Sequence, residues 1–61
     1  MRARVTFVIT VPEADARQVT EQQARDWIRF NVGASDELTP NPLASFAVVP
    51  EADSLRVTVF P

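Results

Sequence analysis

The stretch that decides the fold is ARVTFVITV, residues 3–11. Its odd-numbered positions are all apolar, whereas the even-numbered positions from Arg2 to Thr10 are polar apart from Val8. A period of two, rich in β-branched and aromatic residues, predicts a β-strand with one buried face. Pro12 ends this strand, because proline offers no amide hydrogen to a β-ladder.

A helix is predicted next, from Glu21 to Val32. Thr20 and Gln23 have the spacing of a capping box, in which each side chain accepts a hydrogen bond from the other residue's amide. The only glycine, Gly33, stands where a left-handed residue closes a helix. The inward stripe of this helix is predicted to be Ala24, Trp27, Ile28 and Asn31. The segment before it is open to two interpretations, a linker or a helical turn near residues 14–18.

The second half of the chain predicts a loop and two more strands. Residues 34–42 carry the acids, asparagine and prolines typical of turns. Leu43–Val49 and Leu55–Phe60 are apolar segments joined by a short turn at residues 51–53, which favours an antiparallel hairpin. The motif VPEAD occurs at residues 11–15 and again at 49–53, and we interpret both copies as strand ends.

The expected fold is α+β, a two-layer βαββ domain spanning residues 1–61. A helical crossover makes the first two strands parallel, so the simplest arrangement is a three-stranded mixed sheet of order 1-3-2 with the helix on one face. Trp27 and Ile28 would then cover the apolar face of the sheet. The first strand would lie at an open edge, and such edges invite pairing with another chain. The sequence therefore predicts a homodimer through the edge strand 3–11.

Composition restricts the range of functions. The 61 residues carry a formal charge of −2, with six arginines, eight acids and neither cysteine nor histidine. This composition excludes a thiol nucleophile, a thiolate zinc site and any Ser-His or Cys-His pair. The chain is therefore predicted not to be an enzyme and to need no cofactor. Its apolar runs are far shorter than the roughly 20 residues of a membrane span, so we expect a cytoplasmic protein without a membrane partner.

One predicted surface gathers the basic residues. Arg2, Arg4 and Arg56 should share the helix-free face of the sheet, with threonines such as Thr6 between them. Arginines on one face can bind phosphate or an acidic protein. Because the whole chain is acidic and Phe60 is the only aromatic residue expected there, nucleic-acid binding is the weaker alternative.

The stretch from Trp27 to Gly33, followed by Asn41-Pro42-Leu43, resembles small uncharacterised proteins encoded by bacteriophages and prophages. The resemblance carries no motif of known chemistry, so it assigns no functional residue. It implies a small accessory protein that binds and modulates a host protein in the host cytoplasm.

The leading expectation is a non-enzymatic module that binds a bacterial host protein. A nucleic-acid-binding or transcription-modulating protein and a structural virion or assembly component are the alternatives. Edge-strand addition and the loop from Asp36 to Pro42 are the expected contact modes. The expected partner-binding residues are Arg2, Arg4, Thr6, Val8, Phe30, Asp36, Glu37, Asn41 and Arg56.

Overall fold

One helix and one two-stranded sheet form the regular structure of the described residues. The computed structural model describes residues 1–14 and 18–61. Strand β1 covers Arg2–Thr6, helix α1 covers Glu21–Asn31 and strand β2 covers Arg56–Phe60. The mixture of helix and strand agrees with the sequence, but the arrangement of the elements does not.

The predicted start of α1 is confirmed. Thr20 has an extended backbone, and its Oγ1 accepts a hydrogen bond from the Gln23 amide at 3.1 Å. In return, the Thr20 amide donates to Oε1 of Gln23 at 3.0 Å. Glu21 adds a negative charge in the first turn, where the helix dipole favours it. The capping box therefore satisfies two of the amides that every helix start leaves unpaired.

The predicted end of α1 is confirmed to within one residue. Val32 is the C-cap, and Gly33 has a left-handed φ of 81°. The amide of Gly33 donates to the carbonyl of Phe30, and the amide of Ala34 donates to the carbonyl of Arg29. This pair of hydrogen bonds is the Schellman arrangement that stops a helix.

The sheet is smaller than the predicted one. β1 and β2 pair antiparallel in a two-stranded sheet, here called the ribbon, and the described residues contain no third strand. The predicted three-stranded βαββ sheet of order 1-3-2 is therefore wrong, although the first and last strands are neighbours as that order requires. The register pairs Arg2 with Phe60, Arg4 with Thr58 and Thr6 with Arg56.

The segment predicted as the strand Leu43–Val49 instead begins as a series of turns. Asn41 starts them, since its Oδ1 accepts from the Leu43 amide and its carbonyl accepts from the Ala44 amide. The indole Nε1 of Trp27 donates to the Phe46 carbonyl at 3.2 Å. Leu43 is fully buried, so the first apolar residue of this segment packs in the core and not in a sheet.

β1 is also shorter than the predicted strand 3–11. Beyond Thr6, the segment that lies opposite β1 makes a turn at residues 51–54, where Asp53 has a left-handed φ of 64°. The register slips there, because the Val8 amide donates to Oγ of Ser54 while the Val8 carbonyl accepts from the Glu51 amide. The turn at 51–53 thus exists, but it interrupts the ladder instead of closing a hairpin.

The core lies away from the ribbon. Trp27, Leu43 and Ala14 are its buried residues, with Ile9, Val19, Ile28 and Val48 packed against them. α1 makes no close approach to either strand, so the prediction that the helix covers one face of the sheet is wrong. The predicted helical turn near residues 14–18 falls largely outside the described residues.

The two copies of the VPEAD motif have different environments. Ala14 of the first copy is buried in the core, whereas Ala52 of the second copy is exposed within the turn at 51–54. Neither copy directly follows a strand, because β1 ends at Thr6 and no described strand ends just before residue 49, so the interpretation of both copies as strand ends is wrong.

Candidate functional site

The ribbon presents two chemically different faces. Residues directly opposite each other in an antiparallel pair lie on the same face, and successive residues alternate between faces. The register therefore defines a basic face formed by Arg2, Arg4, Thr6, Arg56, Thr58 and Phe60. It also defines an apolar face formed by Ala3, Val5, Val57 and Val59. The predicted grouping of Arg2, Arg4, Thr6 and Arg56 on one face is confirmed.

Phe60 organises the end of the basic face. The guanidinium carbon of Arg2 lies 4.7 Å from the centre of the Phe60 ring, and that of Arg4 lies 5.8 Å away. Each distance falls within cation–π range, and such contacts contribute about 0.5–1 kcal/mol at exposed sites. The two guanidinium groups of these exposed residues are therefore held beside one aromatic ring.

Arg56 has a different role from the other two arginines. Its Nη1 donates to the Asp53 carbonyl at 2.6 Å and to the Leu55 carbonyl at 3.0 Å. These bonds tie the side chain to the turn that precedes β2. Arg56 contributes its charge to the basic face but has fewer free donors to offer a ligand.

The arginines of the ribbon form no ion pair with any other described residue. In residues 1–14 and 18–61 the one ion pair joins Arg25 to Glu21, 3.2 Å apart on the surface of α1. The ribbon holds three arginines and no acid, which leaves three arginines against eight acids in the rest of the chain. Charge is therefore segregated between a basic ribbon and an acidic remainder.

The other predicted site residues are spread over different parts of the molecule. Val8 is exposed beyond the end of β1, where its backbone groups bond to the turn at 51–54. Phe30 is 40% exposed on α1, which does not contact the ribbon. Neither side chain is part of the basic face.

The predicted loop residues also separate into different roles. Glu37 lines a shallow polar cleft of about 200 Å³ together with Asp26, Arg29, Ser35 and Thr39, and its carbonyl accepts from Oγ of Ser35. Asp36 is exposed beside it. Asn41 instead joins the loop to α1, because its Nδ2 donates to the Gln23 carbonyl at 2.9 Å. The loop from Asp36 to Pro42 is therefore partly structural.

The exposed apolar face of the ribbon is the feature that sequence reasoning missed. Val5, Val57 and Val59 were expected to lie beneath the helix, but each is about half exposed. The alternation of the sequence correctly assigned them to one face. It could not show that α1 packs against Leu43 instead of against that face.

Metal and membrane sites are not evident in the part of the chain that the structure describes. No three acidic side chains there converge on a possible metal position. No helix there has the length and apolar character required to cross a bilayer. Comparison with protein-family models, curated proteins and solved structures finds no match to this chain.

Proposed function

We propose that this chain is a non-enzymatic module that binds another protein through the basic face of its ribbon. The observation that carries the proposal is the placement of Arg2 and Arg4 beside Phe60, without an acidic partner among the described residues. Arginine donors in a planar fork match carboxylates, often with two parallel hydrogen bonds. The complementary partner is an acidic protein surface.

The resemblance to small phage and prophage proteins supports a bacterial host protein as the partner and the cytoplasm as the compartment. Binding of this kind requires no catalytic group, only a surface of suitable shape and charge. A structural virion or assembly component would use the same ribbon differently, and it would be recognised by oligomers larger than a dimer.

Nucleic-acid binding is the alternative that the same arginines suggest. Two observations favour protein over nucleic acid. Proteins that bind single strands stack bases on exposed aromatic rings, but Arg2 already lies over the Phe60 ring. Nucleic-acid binders also commonly carry an extended basic footprint that contacts many phosphates, whereas the ribbon holds three arginines in a chain of formal charge −2.

The experiment that tests the proposal compares binding by three forms of the full chain. The wild type, the double variant Arg2→Ala/Arg4→Ala and the control Arg25→Ala are used to capture proteins from a nuclease-treated bacterial lysate at low and high salt. Arg25→Ala removes a cation from α1 and leaves the ribbon unchanged.

We expect a protein that the wild type and Arg25→Ala retain, and that the double variant binds about tenfold more weakly. Equal retention by all three forms would contradict the proposed surface. Failure to capture any specific protein would contradict protein binding. A gel shift on DNA or RNA that weakens steeply with salt and disappears in the double variant would establish the nucleic-acid alternative.

A further inference from the structure

The apolar face of the ribbon lies open to solvent. Val5 is 50% exposed, Val57 is 56% exposed and Val59 is 59% exposed. Leu55, two residues before Val57, is 52% exposed and extends the same pattern. Contiguous apolar patches of this kind on soluble monomers mark interaction sites.

The described part of the chain offers nothing to cover this face. The core residues Trp27 and Leu43 lie elsewhere, and α1 does not approach either strand. A two-stranded sheet on its own is marginally stable in water, and stability requires more strands or a packed face. A contact on this face would therefore stabilise the ribbon beyond what the described residues provide.

The chain is less compact than a monomeric domain of its length. The solvent-accessible surface is 5048 Å², whereas a compact monomer of this mass exposes about 4,000 Å². The radius of gyration is 13.2 Å, compared with about 10.5 Å for a compact domain of this length. The chain therefore exposes more surface than a compact monomer of its size, and the uncovered apolar face of the ribbon is part of that surface.

We propose that a second copy of the chain packs its apolar face on this one, so that two ribbons form a four-stranded stack. A two-fold axis places the same residues on both sides of such an interface, and the apolar face is uncharged and can therefore meet itself. Contact through the basic faces would bring the arginines of both copies together, and like charges oppose this. In the proposed stack every arginine of the ribbon lies on the outside.

The requirements of a small chain favour a second copy over an unrelated partner. Domains of about 60 residues have little core, and disulfides, metals or oligomerisation commonly supplement it. The chain has no cysteine, and the described residues form no metal cluster. Oligomerisation is a route to stability that stays open to such a chain, and a second copy is present wherever the chain is made.

Face packing differs from pairing of the free strand edges. Edge pairing through β1 or β2 would join backbone groups and leave Val5, Val57 and Val59 exposed on the widened sheet. Only face packing removes these valines from water. It also leaves the basic face free, so this inference does not depend on the proposed function.

Cross-linking from single cysteines tests the stack, because the natural chain has none. Packed sheets lie about 10 Å apart, so a bis-maleimide of that span can join residues that face each other across the interface. The two variants are Val57→Cys on the apolar face and Thr58→Cys on the basic face. We expect a covalent dimer from Val57→Cys and none from Thr58→Cys.

A covalent dimer from Thr58→Cys, with or without one from Val57→Cys, would indicate edge pairing through β2, in which both residues can lie near their own copies, and would overturn the proposal. A wild-type chain that sediments as a monomer at near-millimolar concentration would also overturn it.

A second pair of variants measures the contribution of the valines. Val57→Thr/Val59→Thr keeps β-branched side chains in the strand but makes the face polar, and Arg4→Thr changes the opposite face as a control. We expect the dimer dissociation constant of the double threonine variant to be at least about tenfold higher than that of the wild type. We expect Arg4→Thr to leave it no higher. Equal dimer affinity in both variants would contradict the proposed face. If the double variant does not fold, wild-type sedimentation and the cysteine pair still decide.

Discussion

Asn41 shows how a single residue connects two parts of this chain. Its Nδ2 donates to the Gln23 carbonyl of α1, and its Oδ1 accepts from the Leu43 amide. The first bond attaches the loop to the helix, and the second starts the turn that places Leu43 in the core. Because loop asparagines are usually exposed, sequence analysis predicted Asn41 as a partner-binding residue. No local pattern predicts a hydrogen bond to a residue 18 positions away.

Replacement of Asn41 by alanine should destabilise the fold. The Asn41→Ala variant leaves the Leu43 amide without its acceptor and removes the additional hydrogen bond to the Gln23 carbonyl, at a cost of about 1–3 kcal/mol. Asn31→Ala is the matched control, because the Asn31 side chain donates only to the Trp27 carbonyl in its own helix. Urea unfolding measures both free energies of unfolding. A loss no larger for Asn41→Ala than for Asn31→Ala would contradict the bridging role.

At the scale of elements, α1 and β2 could be predicted from the sequence, whereas the turns that replace the expected strand Leu43–Val49 could not. The capping box and Gly33 act within a few residues of each other, so the sequence alone defines the ends of the helix. The apolar run from Leu43 to Val49 suits either a strand or a buried turn. The choice depends on Trp27, which bonds to the Phe46 carbonyl and packs against Leu43, and this contact lies outside any local pattern.

The capping box should contribute measurably to the stability of α1. Thr20→Ala removes the hydroxyl that accepts from the Gln23 amide, and such substitutions cost about 1 kcal/mol. Thr39→Ala, in an exposed loop, serves as the control. Thermal unfolding followed by circular dichroism should show a lower midpoint for Thr20→Ala alone. Equal midpoints in the two variants would show that the cap does not limit stability.

At the scale of the whole molecule, the buried core and the basic ribbon are separate parts of the chain. The helix, Leu43 and Ala14 form a small acidic-surfaced unit, while the two ends of the chain form the basic ribbon. Alternation in residues 3–11 predicted the faces of the first strand and the position of its arginines. It could not predict that the helix would leave the apolar face uncovered, because that depends on which apolar surface the helix packs against.

Thermal unfolding of the wild type over a series of chain concentrations decides whether a second copy of the chain packs on the ribbon. Trp27 is the only tryptophan and is 1% exposed, so its fluorescence reports the loss of the core. Because association of folded chains stabilises them by mass action, we predict a midpoint that rises steadily with concentration, and a much smaller rise for Val57→Thr/Val59→Thr. A wild-type midpoint that stays constant from micromolar to near-millimolar concentration would contradict the completion of the ribbon by a second copy.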